Sequence, residues 1–317
     1  MTFSLATLRS DGAAIPAIEI EGRFWPIEGL FPELKSLTAD GGLLGLFRQW
    51  DRVEAMLVAA LSDPAFVPNA SVEPLDPAED DFLAPLLYPS KVVLIGGNYA
   101  DHVQDDAGET FNKEDNLPLL FLKPPTTSLV GSGKSVRYPT QSQKLDWELE
   151  LAVVIGRGGR KIKADEAMDH VAGYTIGLDL TVRDWQMDAR HLGTFDMVTG
   201  KAFDDSCPLG PKIVPKRFVD LQALDIRLTV DGELKQNGNS GNMTWTVPEI
   251  IEAVSEHITL EPGDVILTGT PAGVGFPTGT FLKVGSRLVG EITGLGKLAV
   301  EIAGDEGAAL PRDLAAA

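Results

Sequence analysis

Residues 144 to 156 read KLDWELELAVVIG, a run that few folds can accommodate. On an extended strand alternate side chains face opposite ways, so Asp146, Glu148 and Glu150 are expected on one face, with Trp147, Leu149 and Leu151 on the other. Like charges stacked on one face repel. An isolated Glu-x-Glu is ordinarily the solvated outer face of an amphipathic strand. Here the run continues as LAVVIG, apolar on both faces, which carries the acidic end into the core. A further acid, Asp179, ends a second apolar strand, GYTIGLDL. Buried carboxylates must be compensated or they become protonated. A hard dication would compensate Glu148, Glu150 and Asp179 together. Their all-oxygen donor set points to Mg²⁺ or Mn²⁺, with Ca²⁺ as an alternative occupant, and away from zinc.

The 317 residues suggest about two domains. Residues 1–62 read as a small α+β unit. FSLATL and AIPAIEIEG look like strands, and LLGLFRQWDRVEAMLVAAL places Leu43, Leu46, Phe47, Trp50, Val53, Leu57 and Leu61 on one helical stripe. Prolines at 64, 68, 74, 77, 85 and 89 then break regular structure, which places a boundary near residue 85. Beyond it the chain is rich in β-branched runs bounded by Gly, Pro or Asp: KVVLIGGNY, ELELAVVIG, HVAGYTIGLDL, LDIRLTVDGEL, GDVILTGTP, RLVGEITGLG and KLAVEIA. One helix interrupts them. TVPEIIEAVSEH opens with Thr246 and Glu249 at capping-box spacing and Pro248 in the first turn. The expectation is an α+β, mainly β fold with a small N-terminal domain and linker over 1–84, a catalytic domain over 85–303 and a tail over 304–317.

Composition narrows the function. With 27 Lys and Arg against 46 Asp and Glu, the formal charge of −19 argues against nucleic-acid and anionic-membrane partners. No run has the roughly 18 apolar residues of a membrane span. The N-terminus shows no signal-peptide h-region, and the single Cys207 allows no disulfide within the chain, so a reducing cytoplasm is expected.

Other polar residues gather near the acids in sequence. Arg183 and Gln186 follow Asp179 by four and seven residues, a spacing that a helical turn would return to one side. Lys201 lies beside Gly200 in GKAFDDSCPLGP; a lone lysine is usually a solvated charge. His102 precedes Asp105 by three residues in GGNYADHVQDD. A carboxylate beside a histidine supports a general base, although histidines at strand ends are also commonly structural. Gly269 and Thr270, in GDVILTGTPAGVG, belong to a small-residue cluster suited to close backbone approach by a ligand. The alternative is a glycine-rich turn. His170, His191, His257 and Cys207 receive no role.

In series, the stretches GGNYADH, LFLKPPTTSLVGSG, DWELELAVVIG, GYTIGLDLTVRDWQ, GKAFDDSCPLGP, DGELKQNGNSGNMTWTVPEII and LEPGDVILTGTPAGVG resemble the fumarylacetoacetate hydrolase family over about residues 88 to 303. The resemblance implies a mixed β-sandwich roll, usually a homodimer, acting on a small oxo-acid substrate. It implies Glu148, Glu150 and Asp179 as metal ligands. Arg183, Gln186, Lys201 and Thr270 match positions that contact substrate or stabilise negative charge, and His102 matches the residue that activates water. The family often has a glutamate three residues after that histidine; here the position holds Asp105, with Asp106 and Glu109 nearby as alternatives. The implied activity is hydrolytic C–C cleavage of a 2,4-dioxo acid, an acylpyruvate or a diketo sugar acid. An oxaloacetate-type β-keto acid decarboxylase, or a keto–enol or dienedioate isomerase, is its rival at the same site. A non-catalytic β-sandwich with structural Ca²⁺ is the reading from another class.

Overall fold

A computed structural model describes the chain except residues 40, 109–111, 194, 223 and 306–317, so most of the expected tail lies outside the described residues. Strand Leu149–Ile155, buried along its whole length, lies at the centre. It pairs antiparallel with Val171–Leu178 on one side and Val265–Leu267 on the other. Its alternating side chains feed two cores: Leu149, Leu151, Val153 and Ile155 join one, and Ala152 and Val154 the other. Burial on both faces is why this run reads as continuously apolar.

These strands belong to a ten-stranded mixed sheet. Its spatial order runs Arg23–Pro26, Ala13–Ile20, Phe3–Ser10, Cys207–Pro215, Val171–Leu178, Leu149–Ile155, Val265–Leu267, Val92–Gly96 and Leu119–Lys123, with Leu129–Val130 also paired to Cys207–Pro215. A five-stranded sheet, ordered Glu233–Asn239, Asp225–Val230, Arg287–Ile292, Gly296–Ala303 and Lys134–Arg137, packs against one face. Ile226, Leu228, Leu288, Leu298 and Val300 from that sheet, and Ile250, Ile251 and Val254 from helix Val247–His257, close the first core. The architecture is thus mainly β, with few helices. Helix Trp50–Ser62 covers the opposite face through Trp50, Val53, Leu57 and Leu61. It approaches so closely that a Cβ on Gly156 would lie 2.6 Å from Trp50 Cδ1.

The sheet and the second core both run across residue 85. Strand Phe3–Ser10 pairs with Cys207–Pro215, Leu5 facing Ile213, and Phe3, Leu5 and Ile18 share a core with Val92, Leu94 and Val154. Two local expectations need correction. The expected single helix over 43–61 is two segments, Leu43–Phe47 and Trp50–Ser62, and a Cβ on Gly45 would lie 1.9 Å from Leu37 O, so the first segment is wedged against the preceding turn. The strand expected over 144–156 is interrupted at Trp147 and Glu148. Leu145–Asp146 leaves the large sheet to pair with Thr181–Val182.

Candidate active site and metal centre

The interruption separates the three acids of the opening run. Glu148 and Glu150 remain at the end of the central strand, and Asp179 follows the neighbouring strand Val171–Leu178; one carboxylate oxygen from each lies within 4.8 Å of the others. Asp179 N donates to Glu148 O at 2.8 Å, which locks the two strand ends together. Asp146 has a different task. Its carboxylate accepts from the backbone N–H groups of Trp147, Gly275 and Phe276 and from Arg183 Nε, pinning the 273–276 loop beside the site.

Three buried cations face these acids. Lys201 Nζ lies 2.7 Å from Glu148 Oε2 and 2.6 Å from Asp179 Oδ2. Arg183, in the short helix Arg183–Gln186, places Nε 2.9 Å from Asp146 Oδ2 and Nη2 2.9 Å from Glu148 Oε1. Lys123 went unremarked at the level of sequence. Its Nζ lies 2.8 Å from Asp179 Oδ1, an ion pair, and donates to the carbonyls of Leu180 and Ser206. The available signal was a lysine closing the apolar run LLFLK ahead of two prolines.

The balance of charge divides the carboxylates. Burial alone would raise Glu148, but Lys201, Arg183 and His102 overcome it and lower the carboxyl to about 2. Glu150 goes the other way: burial, Asp179 and Glu148 raise it, against a weaker pull from Lys201 and the Gly269 N–H. Burial also raises Asp146, against the opposing field of Arg183. Burial opposes the charged form of Lys201, yet Asp179 and Glu148 raise it; Lys123 is lowered by burial. Four acids thus meet three cations, and Glu150 bears the surplus. A dication among Glu148, Glu150 and Asp179 would remove the repulsion that raises Glu150, and the donors are hard oxygens. These residues fit a divalent metal.

Beside the acids is a cavity of about 130 Å³, lined by His102, Glu148, Arg183, Gln186, Lys201 and Thr270 among others. Six residues expected from sequence therefore share one wall. Thr270 Oγ1 donates to Leu149 O and accepts from Gln236 Nε2, so the side chain of Gln236 supports the site from behind. Two residues lie apart from this wall. Gly269, at φ +91°, lies outside the cavity lining; its N–H donates to Glu150 Oε2 at 2.6 Å, and a Cβ there would lie 2.7 Å from Asn98 Cβ. It positions Glu150, a candidate ligand of the metal. Asp105 is exposed on helix Ala100–Ala107, and among the described residues no hydrogen bond or ion pair is found for it. The Asp106 side chain and Glu109 lie outside the described residues. Trp185 lines a separate surface cleft with Gln141, Asp188 and His191. His170 and His191 bond to the carbonyls of Arg157 and Trp185.

A family model described as fumarylacetoacetate (FAA) hydrolase C-terminal matches residues 91–303. The chain belongs to this family. A human protein named oxaloacetate tautomerase FAHD2A, mitochondrial, is 44% identical over 234 residues, covering 72% of this chain and 71% of its own length. A Xenopus laevis protein named oxaloacetate tautomerase fahd2, mitochondrial, is 43% identical over 219 residues, covering 68% of this chain and 66% of its own. Among solved structures, a fumarylacetoacetate hydrolase from Exiguobacterium antarcticum superposes with a TM-score of 0.76 at 31% identity, covering 96% of this chain and 100% of that one. Fumarylpyruvate hydrolase from Pseudomonas aeruginosa, in complex with Mn²⁺ and pyruvate, superposes with a TM-score of 0.61 at 37% identity, covering 68% of this chain and 90% of that one. The fumarylacetoacetate hydrolase fold therefore extends through the N-terminal strands, whereas the family model is confined to 91–303.

Proposed function

We propose that this chain catalyses keto–enol interconversion of an oxaloacetate-type 2-oxo acid, with Mg²⁺ or Mn²⁺ held by Glu148, Glu150 and Asp179. When bound, the ion would supply Lewis-acid polarisation at the 2-oxo acid end of the substrate. Lys201 and Arg183 would hold the substrate carboxylate and stabilise negative charge developing on the 2-oxygen. Gln186 and Thr270 would orient the head group from the same wall. His102 would take the proton from C3 and return it, while the 2-oxygen gains and releases its own. No bond between heavy atoms needs to break.

The observation that carries this reading is the gathering of His102, Lys201 and Arg183 around one cavity beside the three acids. Enolisation needs only a proton acceptor beside C3 and a site that stabilises the enolate's charge. The relatives named oxaloacetate tautomerase support the same choice. Hydrolysis of an acylpyruvate is the second reading, supported by the neighbour named fumarylpyruvate hydrolase.

The test uses metal-stripped protein with Mn²⁺ added back. Oxaloacetate enol decay is followed by ultraviolet absorbance, pyruvate release is assayed in parallel, and acetylpyruvate is offered separately. Enol decay faster than buffer, without pyruvate, supports tautomerisation. Pyruvate from oxaloacetate would make the chain a decarboxylase, and acetate plus pyruvate from acetylpyruvate would make it a hydrolase.

A further inference from the structure

The polar cavity does not end at its polar wall. It opens into a larger cavity of about 350 Å³, and the two share Gly97, His102, Leu119, Arg183, Gln186 and Met197 as lining. Beyond His102 and Arg183 the outer chamber changes character. Val103, Leu119, Met187, Phe195, Met197 and Phe276 line it. Phe195 and Met187 are 44% and 52% exposed, an unusual placement for large apolar side chains beside so polar a site.

These two side chains are held there by the local fold. Asp196 N donates to Gln186 O at 2.9 Å, closing the loop onto the short helix that carries Arg183. The Asp196 side chain then caps helix Met197–Lys201 by accepting from Val198 N and Thr199 N. One loop therefore presents Met187 and Phe195 at the mouth and Lys201 at the acids. A molecule that enters through this chamber passes between apolar side chains on its way to the acids.

We infer that the outer chamber is a binding site for an apolar substituent of the substrate: the ligand is a 2-oxo acid whose polar head meets the acids and Lys201 and whose hydrocarbon portion lies against Met187, Phe195 and Phe276. This rests on the 2-oxo acid reading above and extends it to a substrate larger than oxaloacetate. Apart from His102 and Arg183, where the chamber meets the polar cavity, no titratable side chain lines it among the described residues, so a second carboxylate lying against Met187, Phe195 and Phe276 would meet only apolar side chains. A hydrocarbon gains by leaving water.

The test measures binding, not turnover. Straight-chain 2-oxo acids from pyruvate to 2-oxooctanoate are titrated by calorimetry into the Mn²⁺-loaded full chain. Affinity should rise by about fourfold per methylene while the chamber fills. Phe195→Ala and Met187→Ser, both at exposed positions, should flatten that slope. A flat or falling series, no binding at any length, or a slope unchanged in both variants overturns the inference. Oxaloacetate enol decay on the same preparation separates the two claims. A rising series without enol decay leaves the chamber and removes the tautomerase; enol decay with a flat series does the reverse.

Discussion

The two ends of strand Leu149–Ile155 bury side chains under opposite conditions. Toward Ile155 the strand lies between two apolar cores, and each buried methylene stabilises the fold. Toward Glu150 burial is unfavourable, and Lys123, Arg183 and Lys201 offset only part of it. The difference teaches how the site is made stiff. The apolar end fixes the backbone, so the acidic end cannot spread its charges apart. What remains is an unrelieved excess at Glu150, suited to a metal ion.

Replacing an acid should break the comparison most severely. Glu150→Ala removes a candidate ligand and should lower turnover by more than about a hundredfold, the scale at which supporting groups of metal sites already act; kcat and a Mn²⁺ titration check it. Lys123→Met comes next. It removes one of the two buried lysines on Asp179, leaving Lys201, and should cost about 3 kcal/mol of stability, with weaker Mn²⁺ binding. Ile155→Ala, at the apolar end, should cost about 2–5 kcal/mol and leave Mn²⁺ affinity unchanged. Denaturant unfolding with and without Mn²⁺ distinguishes them. Gly156→Ala drives a methyl toward Trp50 and should cost about 1–3 kcal/mol, again without touching the metal.

Proton linkage sharpens the contrast within the acidic end. Glu148 is lowered from 4.5 to about 2, so its contribution to stability is present above pH 4.5 and lost as pH falls through about 2. Glu150 is raised above 4.5, so its contribution is present below pH 4.5 and lost as pH rises through the raised value. Metal-free protein should therefore lose stability on this account as pH rises. Glu150→Gln should flatten the decline, and Mn²⁺ binding should release a proton, measurable by calorimetry in buffers of different ionisation enthalpy. The smallest effect belongs to the surface. Arg157→Ala breaks an exposed pair with Asp51 and should leave Tm and activity unchanged within error.

Legibility followed the same divide. Glu148, Glu150 and Asp179 were readable because an apolar run flanks each acid, and periodicity alone then implies burial. Helix Val247–His257 was readable from its cap. Strand Cys207–Pro215 was not, since Pro208, Pro211 and Pro215 argue against a central strand; only the partners in space make it one. Lys123 escaped notice because a single cation carries no period, and its three partners come from residues 56 to 83 positions away in the chain. The sequence spacing brings Asp105 near His102 on one helix, but the exposure of its side chain is set by what packs around that helix.

The pairing of Leu5 with Ile213 also bears on how the chain is made. The two residues are 208 positions apart, so at roughly 5–20 residues per second the first strands leave the ribosome about ten to forty seconds before their neighbour exists. Helix Trp50–Ser62 waits with them, its apolar stripe facing a sheet not yet translated. The N-terminal segment can complete its packing only after Cys207–Pro215 has been made.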